Sequence, residues 1–74
     1  MKPWQGISEF AAVAERQSFT AAAQELGLSV AQVSRNIAAL EHRLQMQLLY
    51  RSTRSVSLTE EGKLYLPHCQ HLVA

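Results

Sequence analysis

Four positions constrain the fold of this chain more than any others. Ala23 stands four residues before Gly27, Val33 six after it, and Ile37 four further on. A small side chain at 23 lets two helices cross closely. Glycine at 27 supplies the turn between them, and the β-branched residues pin the second helix onto the first. Leu26 and Leu28 are expected to fill the corner. Chance matches to such spacing occur in helical proteins, so the flanking segments decide its meaning.

Upstream, Ile7, Phe10, Ala11 and Ala14 fall at i, i+3, i+4 and i+7, the inner stripe of an amphipathic helix over about 5–16. Ser18 can cap a second, alanine-rich helix running to Leu26, and Gly27 stands where a helix-ending glycine belongs. Ser29 is the next capping candidate, for a third helix over about 30–45. In it Val33, Ile37, Leu40 and Leu44 form one buried stripe. "LLYR" and "VSLT" then predict two short strands around the polar turn "STRS". A hairpin this short is stable only when packed against helices. Thr59 and the acids after it mark a last helix, since acids complement an N-terminal dipole. That helix runs to the end of the sequence with no stop signal, as if cut off, and its apolar side includes Leu64, Leu72 and Val73. The order is helix, helix, helix, hairpin, helix: a mainly α, winged helix-turn-helix layout, with the winged unit in 1–58 and a further helix in 59–74.

At 74 residues the chain holds one small domain. It has no run of 18 apolar residues and no signal-peptide core, so neither a membrane span nor secretion is expected. A single cysteine, Cys69, fits a reducing, cytoplasmic setting. The formal net charge is only +1, but its distribution is uneven. Residues 35–58 carry +3, all from arginine, while the segments on either side are each −1. Arginine suits bidentate contact with phosphate and with guanine edges.

Helical rotation places Ala31, Arg35, Ala38 and His42 opposite the buried stripe of the third helix. This outward face is narrow and mostly small, as entry into a major groove requires. Gln32, Ser34, Arg35 and Asn36 supply donors near its N-terminal end. Arg35 can fork onto guanine, and Gln32 or Asn36 can pair with adenine. At the hairpin tip Arg51 and Arg54, with Thr53 between them, can donate to phosphate or enter a narrow minor groove.

The stretches "FAAVAERQSFTAAAQELGLS", "VSRNIAALEHRL" and "LLYRSTRSVSLTEEG" closely resemble the N-terminal DNA-binding domain of the LysR-type transcriptional regulators. The resemblance implies double-stranded DNA as the partner, with helix 3 in the major groove and the wing at the minor groove. It implies DNA contacts at Ser29, Gln32, Ser34, Arg35 and Asn36, at Arg51, Thr53 and Arg54 on the wing, and at Ser18 and Thr20 on the phosphate backbone. It also implies a homodimer joined through the last, linker helix, by way of Leu64, Leu72 and Val73. A small-molecule effector would bind a C-terminal domain that these residues do not include, so no cofactor is expected here. The setting implied is bacterial, cytoplasmic and nucleoid-associated. There are departures from the pattern. Many members carry glutamine-proline where this chain has Val30-Ala31, and basic residues where it has Ala21, Ala38 and Ala39. Gln32 is the candidate replacement for the lost glutamine.

"HCQH" groups His68, Cys69 and His71, too few ligands for a zinc site on one helix, and these are expected to be surface residues. Pro67 should kink the last helix or be tolerated near its first turns. Trp4, Phe10, Phe19 and Tyr50 are expected to pack the core. No nucleophile-base-acid set or paired carboxylate supports an enzyme. The rival reading is a winged-helix protein-interaction module without DNA readout.

Overall fold

The computed structural model describes residues 6–51 and 56–73, with the side chains of residues 51, 72 and 73 left out. The elements are α1 (Ile7–Arg16), α2 (Phe19–Leu26), α3 (Val30–Leu44), β1 (Leu49–Arg51), β2 (Val56–Leu58) and α4 (Glu60–Val73). This is the winged helix-turn-helix order that the sequence predicts. Trp4, Thr53 and Arg54 lie outside the described residues.

Local chemistry sets the helix ends. Ser18 Oγ accepts the Ala21 N–H at 3.0 Å, and Ser29 Oγ accepts the Gln32 N–H at 3.1 Å. Each satisfies a donor that the first helical turn cannot. Gly27, at φ 71°, closes α2 in the left-handed conformation, and the next N–H, that of Leu28, bonds Ala23 O at 2.9 Å. Gln17 and Gln45 take the same conformation without being glycine, at φ 54° and 57°. Gly6 begins α1 at φ 93°, where an added Cβ would lie 2.5 Å from the Asn36 carbonyl oxygen. The absent side chain lets α1 and α3 meet at that point.

The core is built from one stripe per helix. Phe10 and Val13 of α1, Ala22 and Ala23 of α2, and Val33, Ile37 and Leu40 of α3 close around Leu48 and Leu49. The small pair on α2 allows the close crossing. β1 and β2 pair antiparallel, Leu49 opposite Leu58, Tyr50 opposite Ser57 and Arg51 opposite Val56. Side chains alternate across a strand. Leu49 therefore turns inward, and Tyr50 turns outward with Ser57.

Tyr50, 56% exposed, is thus not a core residue as expected, because strand alternation overrides its apolar character. Phe10 is fully buried and Phe19 packs partly buried against the core. Leu28 is 37% exposed, so the corner is filled mainly by Leu26. Cys69 is fully buried rather than on the surface, while His68 and His71 are exposed. The reason is spacing: Gly62, Tyr65, Leu66 and Cys69 form the inward stripe of α4. Tyr65 of that stripe meets Phe10 of α1, with ring centroids 6.3 Å apart. α4 runs on past Pro67, whose ring lies on the exposed side.

Candidate nucleic-acid interface

α3 is held rigidly from behind. Val33 and Ile37 are fully buried and Leu40 nearly so. The opposite face carries Ala31, Arg35, Ala38 and His42, all exposed, as helical rotation requires. Ser29 caps the helix at its exposed N-terminal end, where the backbone N–H groups and the helix dipole favour an anion such as phosphate. Ser18 plays the same part for α2, with Thr20 exposed beside it. Each capping hydroxyl accepts one backbone N–H and keeps its own proton to donate.

Gln32 and Ser34 are half-buried at the edge of this face. Asn36 departs from the sequence expectation of an outward donor. It is only 8% exposed, and its Nδ2 donates to Glu9 Oε2 of α1 at 2.6 Å. Its position three residues after Val33 carries it round towards α1. Its Oδ1 accepts from Gln32 Nε2 at 2.9 Å, and Gln32 Oε1 in turn accepts from Arg35 Nη2 at 2.9 Å. The other Glu9 oxygen, Oε1, accepts the Gly6 N–H at 3.1 Å. Among the described residues no buried side-chain polar atom lacks a partner.

The wing is anchored by tertiary contacts that sequence reasoning did not foresee. Glu41 Oε2 accepts the N–H groups of Leu48, at 2.8 Å, and Leu49, at 3.2 Å. α3 thereby fixes where β1 starts. Thr59 Oγ1 donates to Gln47 O and accepts the Gly62 N–H, tying the end of β2 to the start of both β1 and α4. The signal for Glu9 was present in part, since it follows Gly6 at capping-box spacing. Glu41 offered no comparable local signal, because its partners lie in the next element. Arg51 is placed only by its backbone, at the end of β1.

On α4, Leu64 is 76% exposed, beside a shallow hollow lined by Met46, Glu61, Tyr65 and His68. Burial pushes the Cys69 thiol up to about 11, so it stays protonated in neutral solution. Tyr65 is also raised, by burial first and then by Cys69, with Arg43 opposing. Among the described residues no cluster of His, Cys, Asp and Glu could hold a metal ion, and no helix is long and apolar enough to cross a membrane.

A family model described as "Bacterial regulatory helix-turn-helix protein, lysR family" matches residues 4–63. The HTH-type transcriptional activator AaeR of Escherichia coli K12 is 48% identical over 67 residues, which is 90% of this chain and 22% of that protein. The HTH-type transcriptional regulator YcaN of the same strain is 58% identical over 56 residues, 76% of this chain and 18% of that protein. The chain thus spans about a fifth of the length of these curated relatives. Among solved structures, the BenM DNA-binding domain in complex with catB site 1 DNA superposes with a TM-score of 0.86. It is 40% identical, covering 92% of this chain and 76% of that one. The CbnR DNA-binding domain in complex with DNA gives the same TM-score at 35% identity, covering 92% and 78%.

Proposed function

The chain belongs to the lysR family of bacterial regulatory helix-turn-helix proteins, and from that premise we propose how it acts as the DNA-binding domain of a transcriptional regulator. α3 enters the major groove of double-stranded DNA by its outward face, and the wing meets the minor groove. The observation that carries this reading is that face itself: narrow, lined by alanine, with exposed Arg35 in its N-terminal half, on a helix pinned by Val33 and Ile37. A groove-entering helix needs little bulk on approach and a few donors near its start. Arg35, Gln32 and Ser34 address base edges. Ser18, Thr20, Ser29 and the wing arginines address phosphates, which position the domain without specifying sequence. Asn36 contributes from behind rather than by contact.

Leu64 and the hollow beside it support pairing of α4 with a second copy. Regulation by an effector would belong to a part of the protein outside these residues. The proposed setting is the bacterial cytoplasm, in association with the nucleoid. The domain acts by binding and not by catalysis, and it needs no cofactor.

The test is selection from a random-sequence duplex library, followed by salt titration. A recurrent sequence is expected, with affinity falling steeply as salt rises. Arg35→Ala is expected to relax preference at one base pair by about tenfold or more. Arg51→Ala should weaken all duplexes alike and flatten the salt slope. Binding indifferent to salt, or equal loss on selected and scrambled duplexes for Arg35→Ala, refutes these roles.

A further inference from the structure

The hydrogen bonds around Asn36 form one directed chain, and its direction is forced from one end. Glu9 is 8% exposed, and both of its carboxyl oxygens accept, Oε1 from the Gly6 N–H at 3.1 Å and Oε2 from the side chain of Asn36. Asn36 must therefore turn its Nδ2 towards Glu9, at 2.6 Å. That leaves Asn36 Oδ1 facing Gln32, which must donate with Nε2, at 2.9 Å. Gln32 is then obliged to present Oε1 to the Arg35 guanidinium, at 2.9 Å. Each amide has one donor end and one acceptor end, so the orientation of the first dictates that of the second.

We propose that Glu9 is a specificity-determining positioning residue. Its buried carboxylate sets the direction of a relay through Asn36 and Gln32 that holds the Arg35 guanidinium in one aim, without Glu9 or Asn36 touching the duplex. The proposal rests on the reading that the outward face of α3 meets DNA. It places part of the base selectivity on α1, an element on the far side of α3 from the groove. A guanidinium held in plane by an oxygen loses less freedom when it forks onto a base, which favours the matching base over its competitors.

Replacing the carboxylate by an amide tests the direction and not merely the presence of the relay. In Glu9→Gln the side chain keeps its size. If its Oε1 keeps the Gly6 N–H, its Nε2 faces Asn36, and both downstream amides must turn over. Gln32 then presents Nε2 to the guanidinium, donor against donor, and the contact is lost. Adding Gln32→Glu restores an oxygen at both ends of that position: one accepts from the turned Asn36 and the other from Arg35.

The experiment uses the duplex that the wild-type chain selects and variants of it at the base pair assigned by Arg35→Ala. Glu9→Gln is expected to stay folded and to lose about threefold of the discrimination at that base pair, less than Arg35→Ala loses. Its affinity for duplexes already mismatched there should hold. The double variant Glu9→Gln/Arg35→Ala should discriminate no worse than Arg35→Ala alone. Glu9→Gln/Gln32→Glu should recover discrimination, whatever its overall affinity. In the wild-type chain, NMR couplings across hydrogen bonds are expected from Asn36 Nδ2 to the Glu9 carboxyl carbon and from Gln32 Nε2 to the Asn36 amide carbon. The opposite amide orientation overturns the relay even if a variant fails to fold. So does unchanged discrimination in Glu9→Gln, or a loss spread evenly over all sequences. A wild-type chain that selects no sequence refutes the DNA reading and the relay's role with it. A wild-type chain that selects through Arg35 but tolerates Glu9→Gln refutes the relay alone.

Discussion

Gly62→Ala should destabilise the domain, although helix propensity argues the reverse. Gly62 lies in the first turn of α4, where alanine would ordinarily gain about 1 kcal/mol over glycine. A Cβ built at this position stands 2.1 Å from the Leu48 carbonyl oxygen and 3.0 Å from its carbonyl carbon, against the 3.4 Å at which ordinary contact begins. The obstacle is backbone, not a side chain that can swing away. The same Leu48 oxygen accepts the buried Thr59 N–H at 3.1 Å, so moving it breaks that bond. Overpacking of this kind costs about 1–3 kcal/mol, and the lost hydrogen bond about 1 kcal/mol. Set against the propensity gain, the net loss is about 1–3 kcal/mol, or a Tm lowered by about 5–15 °C for a domain of this size. Thermal unfolding followed by far-UV circular dichroism measures it. Gly27→Ala serves as the control. Nothing lies within 4 Å of its Cβ, and its strain comes only from φ 71°, worth about 1 kcal/mol. A Gly62→Ala variant as stable as wild type, or less damaged than Gly27→Ala, would refute the reasoning.

Glu41→Ala removes the acceptor of two backbone N–H groups at the start of β1. It should cost about 2–3 kcal/mol in urea unfolding, and a loss under about 0.5 kcal/mol would show that Glu41 does not anchor the wing. Gln17→Gly relieves a left-handed residue at φ 54° and should raise stability by about 0.5 kcal/mol, net of the entropy of an added glycine. No rise in Tm would mean that the Gln17 side chain earns its strained backbone by other contacts. The Cys69 thiol is raised from 9.0 to about 11, so the fold prefers it neutral. Its contribution is fully present below pH 9 and is lost as pH rises through about 11. The urea midpoint of wild type should therefore fall more steeply over that window than that of Cys69→Ala, with parallel slopes as the contrary result.

What was legible in the sequence was mostly local. The Ser18 and Ser29 caps, the Gly27 turn and the hairpin ends each depend on a few neighbouring residues, and the four helices lie where periodicity, in α1 and α3, and capping signals and composition, in α2 and α4, place them. The outward face of α3 was legible for the same reason, since rotation along a helix needs no partner. Other features depended on residues far apart in the chain. Asn36 looked like a base donor until Glu9, 27 residues away, claimed its amide. Tyr50 looked like core until pairing with Ser57 fixed which way its strand faced. Cys69 looked like a surface residue until α4 laid its inner stripe on α1.

By itself, then, the sequence determined the elements, their order and the side of α3 left open, because periodicity, capping and turn chemistry act over one or two helical turns. Only the tertiary structure decided which polar residues on α3 are turned outward and which are held behind it. It also decided that Gly62 must lack a side chain. Those outcomes depend on which distant backbone or carboxylate arrives opposite, and no local pattern encodes that.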